Sequence, residues 1–367
     1  MSWNSIGRNL VLTTFGESHG VAVGGVLDGF PAGIPIDRDF IQEEINRRNP
    51  SRYPFSTTRK EEDHLEILSG VFEGKSTGTP IGFLIYNKDQ RPVDYDHLKD
   101  LYRPSHADYT YEAKYGIRDQ RGGGRASARA TLAIVAGGAF ARLFLNGHNI
   151  AITGYVSRIG PHSLPDDFVL RDPAQVKASS VACPDEEVTK KILDYLQSLK
   201  QEGDTSGGVI SCIIRGVPAG IGDPVFGKLH STLAHAMMSI PAVRGFEVGS
   251  GFRAAVMKGS QHNDVWTNEN GRFITRTNHS GGIQGGISNG MDITFQVAFK
   301  PVSTLGMDQQ TVNRSGKQVI YTAGGRHDVC VVPRACVIVE SFAALVLADH
   351  FIQVPAGSGN ASYPFPR

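Results

Sequence analysis

Apolar positions recur at helical spacing in several places along the chain, and each recurrence predicts an element. Over residues 37–48, Phe40, Ile41 and Ile45 mark one face, Arg47 and Arg48 fill the last turn, and Pro50 stops it. This predicts a short helix with a basic C-terminus. Residues 126–146 are apolar almost throughout and close on Asn146-Gly147, the pattern of a long buried helix. Residues 184–202 are amphipathic through Val188, Ile192, Leu196 and Leu199, with Gly203 just past the end. Two further helices are predicted near 226–240 and 334–350. Between them run NLVLTTF, VAVGGVLDGF, GGVISCIIRGV, MDITFQVAF and QVIYTA, most of them bounded by Gly, Pro or Asn, which read as strands. Strands and helices do not alternate strictly. The pattern therefore favours α+β layers with antiparallel sheets over a doubly wound parallel fold. No repeat, low-complexity tract or linker interrupts the sequence, so one continuous domain over 1–367 is expected.

Composition changes this picture in three ways. With 40% hydrophobic and 20% charged residues, the chain can bury a large core. Its 37 Lys+Arg balance 36 Asp+Glu, so no overall field favours a nucleic acid and any basic site must arise by local clustering. The 43 glycines suggest many places where backbone approaches a ligand or another strand. The N-terminus lacks a leader pattern, and the apolar run TLAIVAGGAFARLFL is interrupted by Arg142 and short for a bilayer. A cytoplasmic protein without a membrane partner is expected. Cys183, Cys212, Cys330 and Cys336 show no CxxC spacing, which predicts reduced, mostly buried thiols and no metal site.

Candidate chemistry concentrates in a few stretches. RDQRGGGRASARAT, residues 118–131, fits an RGG-like tract, a solvated loop, or an anion cradle opening a helix. A helix beginning just after Gly124 would present backbone N–H groups at its N-terminus, with Arg125 and Arg129 on one face. The apolar turns that follow favour the cradle. GESHG, residues 16–20, matches the G-x-S-x-G elbow of hydrolases around Ser18. The elbow needs a helix after it, whereas VAVGGVLDGF has a strand pattern, and too little chain precedes it for a hydrolase sheet. Two Ser-His pairs remain, Ser18-His19 and Ser105-His106, whose histidines titrate near neutral pH and suit proton donation. GGRHD adds Arg326, His327 and Asp328.

FGESHG, RPSHADYTYEAKYGIRDQRGGGRASARAT, TNHSGGIQGGISNG and GRHD, in this order, resemble the signatures of the chorismate synthase family. The resemblance runs from about residue 4 to 350 and leaves no room for a built-in flavin reductase, as in the monofunctional type. It implies a β-α-β sandwich with helices packed between two antiparallel sheets, assembled as a homotetramer. It implies a lyase that converts 5-enolpyruvylshikimate 3-phosphate to chorismate and phosphate by anti-1,4-elimination, in the last step of the shikimate pathway. Reduced FMN would be required without net redox change, and NADPH would act only indirectly, through a separate flavin reductase. Such a ligand pair brings several anions into one pocket, which explains the arginines.

By the same resemblance, Arg48, Arg103, Arg129 and Arg334 bind substrate. Arg125, Ala126, Ser127, Pro241, Ala242, Gly285, Lys300, Pro301, Val302, Ser303, Thr304 and Arg326 contact FMN. His19 protonates the departing phosphate, and His106 protonates or stabilises reduced flavin at its N1/C2 edge. Ser18, Ser127 and Asp328 relay the proton removed through flavin N5. Three positions depart from the family pattern. Pro54 stands where an arginine usually closes the nucleotide or substrate site, with Arg52 as its substitute; Val329 replaces a proline, and Val302 a threonine.

Overall fold

Alternation of buried and exposed positions builds two five-stranded sheets in which every pairing is antiparallel. The structure, a computed structural model, describes residues 3–56, 62–88, 98–323 and 328–353. The first sheet contains β1 (Ser5–Ile6), β2 (Val11–Gly16), β3 (Ala22–Asp28), β4 (Glu66–Ile67) and β5 (Ile81–Tyr86), in the order β1-β2-β3-β5-β4. Val11 lies opposite Asp28 and Gly16 opposite Val23, so the 16–22 turn projects from one end of this sheet. The second contains β6 (Ala151–Ile159), β7 (His162–Ser163), β8 (Gly208–Arg215), β9 (Val243–Val248) and β10 (Ile293–Phe299), in the order β9-β10-β8-β6-β7. Ile293, Phe295, Val297 and Phe299 alternate inward along β10.

The longer helices among the described residues are α1 (Arg38–Arg47), α2 (Asp108–Tyr115), α3 (Thr131–Asn146), α4 (Glu186–Glu202), α5 (Leu229–Met238) and α6 (Val332–Gln353). Helix α3 packs on β2 and β3, α6 packs on β6 and β8, and the two helices pack on each other. The order of contact is sheet, helix, helix, sheet. The stretch Ala128–Asn146, which α3 completes, and helix α6 are long and apolar enough in composition to cross a bilayer, yet both are mostly buried in the core. Their close approach depends on Gly138, where a Cβ would lie 2.3 Å from the Ser341 Cβ. Phe30, Phe83 and Phe140 fill the space between α3 and the first sheet. Full burial of side chains of this size contributes about 1.5–3 kcal/mol each.

Most predicted elements occur where the patterning placed them. Helix α1 is capped by Asp37, whose carboxylate accepts the Phe40 N–H, and α4 is capped by Asp185 and ended by Gly203 at φ +73. Helix α5 is shorter than 226–240, and α6 is longer than 334–350. The helix expected from residue 126 begins only at Thr131. Before it come two 3₁₀ turns, Gly124–Ala126 and Ala128–Ala130, separated by Ser127 in extended conformation. The Ser127 hydroxyl caps the second turn by accepting the Arg129 N–H, which breaks the helix that composition alone suggests. All four cysteines are free and buried.

Candidate functional site

A cavity of about 1010 Å³ opens where the ends of these elements converge. The segment entering α2 supplies Arg103, Ser105, His106 and Asp108 to its wall, and residues 122–128 supply the glycine-rich approach to α3. Residues 240–242 follow α5, residues 300–304 follow β10, and Asp328, Val331, Arg334 and Ala335 belong to the entry and first turn of α6. Among the described residues, six basic side chains line the wall (Arg103, Arg118, Arg125, Arg244, Lys300, Arg334) against four carboxylates (Glu17, Asp108, Asp119, Asp328). A chain of nearly zero net charge thus concentrates a positive surplus in one concavity, where it favours anions. Ser105 and Ala242, both on the wall, hold φ values of +57 and +71, a left-handed conformation that strains residues other than glycine.

The polar groups of the wall are oriented by specific partners. Arg103 donates from Nε and Nη2 to Asp108 at 2.8 and 2.7 Å, and Arg118 Nη1 approaches the same carboxylate at 3.3 Å. Burial alone would raise the Asp108 carboxyl, but the hydrogen bonds and charge of Arg103 hold it below the usual carboxylate range. His106 Nδ1–H donates to the Pro104 carbonyl at 2.9 Å, which leaves Nε2 facing the Thr304 hydroxyl at 3.2 Å. Burial, and then the charge of Arg103, push the His106 imidazolium below its ordinary range. The neutral ring is therefore favoured. Lys300 donates to the Ser303 hydroxyl and is likewise pushed down by burial and by Arg244. Arg334 Nη2 meets Asp328 Oδ2 at 2.6 Å.

Fourteen of the expected site residues line the cavity: Arg103, His106, Arg125, Ala126, Ser127, Pro241, Ala242, Lys300, Pro301, Val302, Ser303, Thr304, Asp328 and Arg334. Ser18 and His19 lie directly behind the wall. Gly122, at φ +92, lines the cavity, and a Cβ there would come within 2.6 Å of the His19 ring and 3.1 Å of Ser18 Oγ. The Ser18 hydroxyl is 3.1 Å from His19 Nδ1. Asn87 donates to the carbonyls of Glu17 and Gly20 and accepts from Arg129 Nε at 2.8 Å, so Arg129 fastens the turn that carries His19.

Arg48 also acts from behind, donating to Thr131 Oγ1 at 2.9 Å and to the Ala128 carbonyl at 2.8 Å, both on wall residues. Arg125 and Arg129 do not share a face as the four-residue spacing suggested. Because they sit on separate 3₁₀ turns, Arg125 reaches Thr14 Oγ1 and the Gly16 carbonyl while Arg129 turns to Asp63 and Asn87. Arg52 is exposed, pairs with Glu43 at 2.7 Å and is not on the wall. Gly285, at φ +61, sits in the Ile283–Gln284/Ile287–Ser288 hairpin and is also off the wall. Arg326 lies outside the described residues. Sequence reasoning missed Asp108, Arg118 and Arg244; the first follows Arg103 within RPSHAD, and that proximity was the available signal.

The sequence profile described as chorismate synthase matches residues 10–352. A chorismate synthase of Phocaeicola vulgatus is 55% identical over 350 residues, covering 95% of this chain and 98% of that protein. One of Bacteroides fragilis is 55% identical over the same shares of both chains, 95% and 98%. A crystal structure of chorismate synthase aligns with a TM-score of 0.75 at 32% identity, over 94% of this chain and 92% of that one.

Proposed function

The chain belongs to the chorismate synthase family, lyases that form chorismate in the shikimate pathway, and from that premise we propose that its cavity holds reduced FMN together with 5-enolpyruvylshikimate 3-phosphate. The observation that carries this reading is the surplus, among the described residues, of six cations over four carboxylates around about 1010 Å³, a space large enough for both molecules. The wall also fits the cofactor in detail. Residues 122–126 and 241–242 contribute backbone and small side chains that let a flat ring approach closely. Lys300, Ser303 and Thr304 offer donors suited to a ribityl phosphate. Reduced FMN, when bound, supplies electron density to the breaking allylic C–O bond without net redox change.

The chain's own residues hold and move the protons. His19, oriented by Ser18, gives a proton to the departing phosphate. His106, with Nδ1 committed to Pro104, presents Nε2 as the titrating atom and takes up a proton once anions enter. Ser18, Ser127 and Asp328 carry away the proton lost from substrate C6. Arg103 and Arg334 hold the substrate's anions from the wall, each kept in place by its carboxylate partner. Arg48 and Arg129 support its phosphate end from behind. We further read 1–367 as one domain, the layer order as the family's sandwich, and the assembly as a homotetramer supplied with reduced flavin by a separate reductase.

Anaerobic titration of the protein with reduced FMN and substrate, followed by absorbance, tests the reading. Spectral change on binding and many turnovers from a small pool of pre-reduced FMN are expected, with no NADPH consumed per chorismate. His19→Ala and His106→Ala should each slow turnover roughly 10²- to 10⁴-fold while substrate binding persists. Full turnover with oxidised FMN and no reductant would overturn the cofactor assignment.

A further inference from the structure

The cations that line the cavity are of two kinds. Arg103 and Arg118 share the Asp108 carboxylate and Arg334 meets Asp328, so each of these faces an acid of the protein itself. Arg125 is committed to Thr14 Oγ1 and the Gly16 carbonyl. Arg244 and Lys300 differ from all of these, because among the described residues neither forms an ion pair with a carboxylate, and both line the cavity. The fold sets them side by side. In the pairing of β9 with β10, Val243 lies opposite Phe299 and Gly245 opposite Ala298, so the register slips by one residue at Arg244. A bulge of this kind takes the extra residue out of the ladder and re-aims its side chain. The Lys300 N–H donates to the Ala242 carbonyl at 2.9 Å, which ties the two segments together at the end of the strand pair. Arg244 Nη1 donates to the Val243 carbonyl at 2.7 Å, and Lys300 donates to the Ser303 hydroxyl. Their proximity registers on the lysine, which burial and then the charge of Arg244 push below its ordinary range.

We propose that Arg244 is a specificity-determining residue, the second cation of a seat for a phosphate monoester that Lys300 and Ser303 complete, and that it makes the chain select FMN over riboflavin. The inference rests on the reading that the cavity binds FMN. Residues 300–304 offer a single cation, whereas a phosphate monoester carries about −1.5 to −2 charges near neutral pH. Arg244 supplies the second positive charge, and its planar fork of donors matches phosphate oxygens. Two like charges side by side without an acid between them favour a bound anion, which relieves their repulsion and meets the donors that each still has to offer. Arg103, Arg118 and Arg334 are less suited to this place, since each would first have to give up its carboxylate.

The test compares two ligands that differ only in that phosphate. Reduced FMN and reduced riboflavin are titrated anaerobically into the full chain and followed by absorbance, with wild type, Arg244→Gln and Arg244→Lys side by side. Wild type should bind FMN at least about tenfold more tightly than riboflavin. Arg244→Gln should weaken FMN roughly tenfold and leave riboflavin within about twofold, and Arg244→Lys, which keeps the charge, should recover most of the loss. An equal loss of both flavins in Arg244→Gln would assign Arg244 a structural role and overturn the proposal. Unchanged FMN affinity, or a loss confined to 5-enolpyruvylshikimate 3-phosphate, would overturn it while leaving the cofactor reading in place. If wild type binds neither flavin, the cofactor reading itself fails and the seat falls with it. Should Arg244→Gln not fold, salt decides on the wild-type chain: affinity for FMN should fall several-fold more than affinity for riboflavin as ionic strength rises, and parallel falls refute the seat.

Discussion

Arg47 and Arg48 are neighbours in sequence and belong to charge clusters of opposite design. Arg47 joins a buried quartet with Glu44, Arg142 and Glu340, in which Glu340 accepts from Arg47 at 2.6 and 2.9 Å, from Arg142 at 2.8 Å and from the Gly154 N–H at 2.9 Å. Arg142 also donates to Glu44. Two cations meet two anions, and no charge is left for a ligand. Arg48 points the other way, to the rear of a wall that among the described residues carries six cations for four carboxylates. A balanced cluster holds α1, α3, α6 and β6 together, whereas an unbalanced one leaves a positive surplus that favours an anion. Total charge cannot distinguish them; local balance can.

The balanced cluster should break most severely. Glu340→Ala leaves Arg47 and Arg142 with one carboxylate between them in the core, and the loss should be about 3–5 kcal/mol of stability, read from denaturant unfolding. A loss below about 1 kcal/mol would show that Glu44 and water compensate fully. The same quartet should sensitise the fold to acid. Burial alone would raise the Glu340 carboxyl, but Arg47 and then Arg142 hold it below its ordinary range. Its folded value thus lies below its unfolded one, so its contribution is complete above the unfolded value and disappears as pH falls through the folded value.

The unbalanced cluster should respond in affinity instead. Arg334→Ala removes a cavity cation whose carboxylate partner, Asp328, also lines the cavity, where solvent can reach it, so the fold should lose less stability than in Glu340→Ala. Substrate binding should weaken by roughly ten- to a hundredfold, read as Kd and KM together. A variant that unfolds as readily as Glu340→Ala would erase the contrast between the two clusters.

The contrast also explains what the sequence made legible. Strands such as β2, β3, β8 and β10 and helices α1, α3, α4 and α6 follow from apolar periodicity, because each buries a continuous face. Helix α2 escaped because its pattern is inverted: Asp108 is buried while Tyr109 and Tyr115 are exposed. The start of α3 escaped because one hydroxyl, that of Ser127, decides it. Within the site, motif residues were legible by resemblance, but their partners were not. Asp63 reaches Arg129 only through the packing of the first sheet against α3, and nothing in the local pattern around either residue signals the pair. Arg47 and Arg48 likewise read as two basic residues closing a helix, and only the fold assigns one to each cluster.

The smallest effect, and the one that most sharpens the contrast, is a pH dependence confined to the unbalanced side. In the ligand-free protein His106 is held below its ordinary value near 6.5 by burial and then by Arg103. A bound anion in the same cavity offsets the charge of Arg103 and brings His106 back up. Between the two values the complex holds more protons than its separated parts, so binding takes up protons and tightens as pH falls through that window. The substrate's own phosphate opposes this, because it loses dianion character near pH 6. The comparison must therefore be a difference: Kd for substrate measured from pH 8 to pH 6 in wild type and in His106→Gln. Wild type should gain about two- to tenfold over the variant across this range, since a pKa difference of one unit corresponds to at most tenfold. Unfolding stability measured over the same pH range should show no matching gain, because a histidine depressed by folding contributes stability above its unfolded value and loses it as pH falls. Identical pH slopes for binding in the two proteins would mean that His106 does not sense the anion, and its role as the titrating group of the cavity would fall with it.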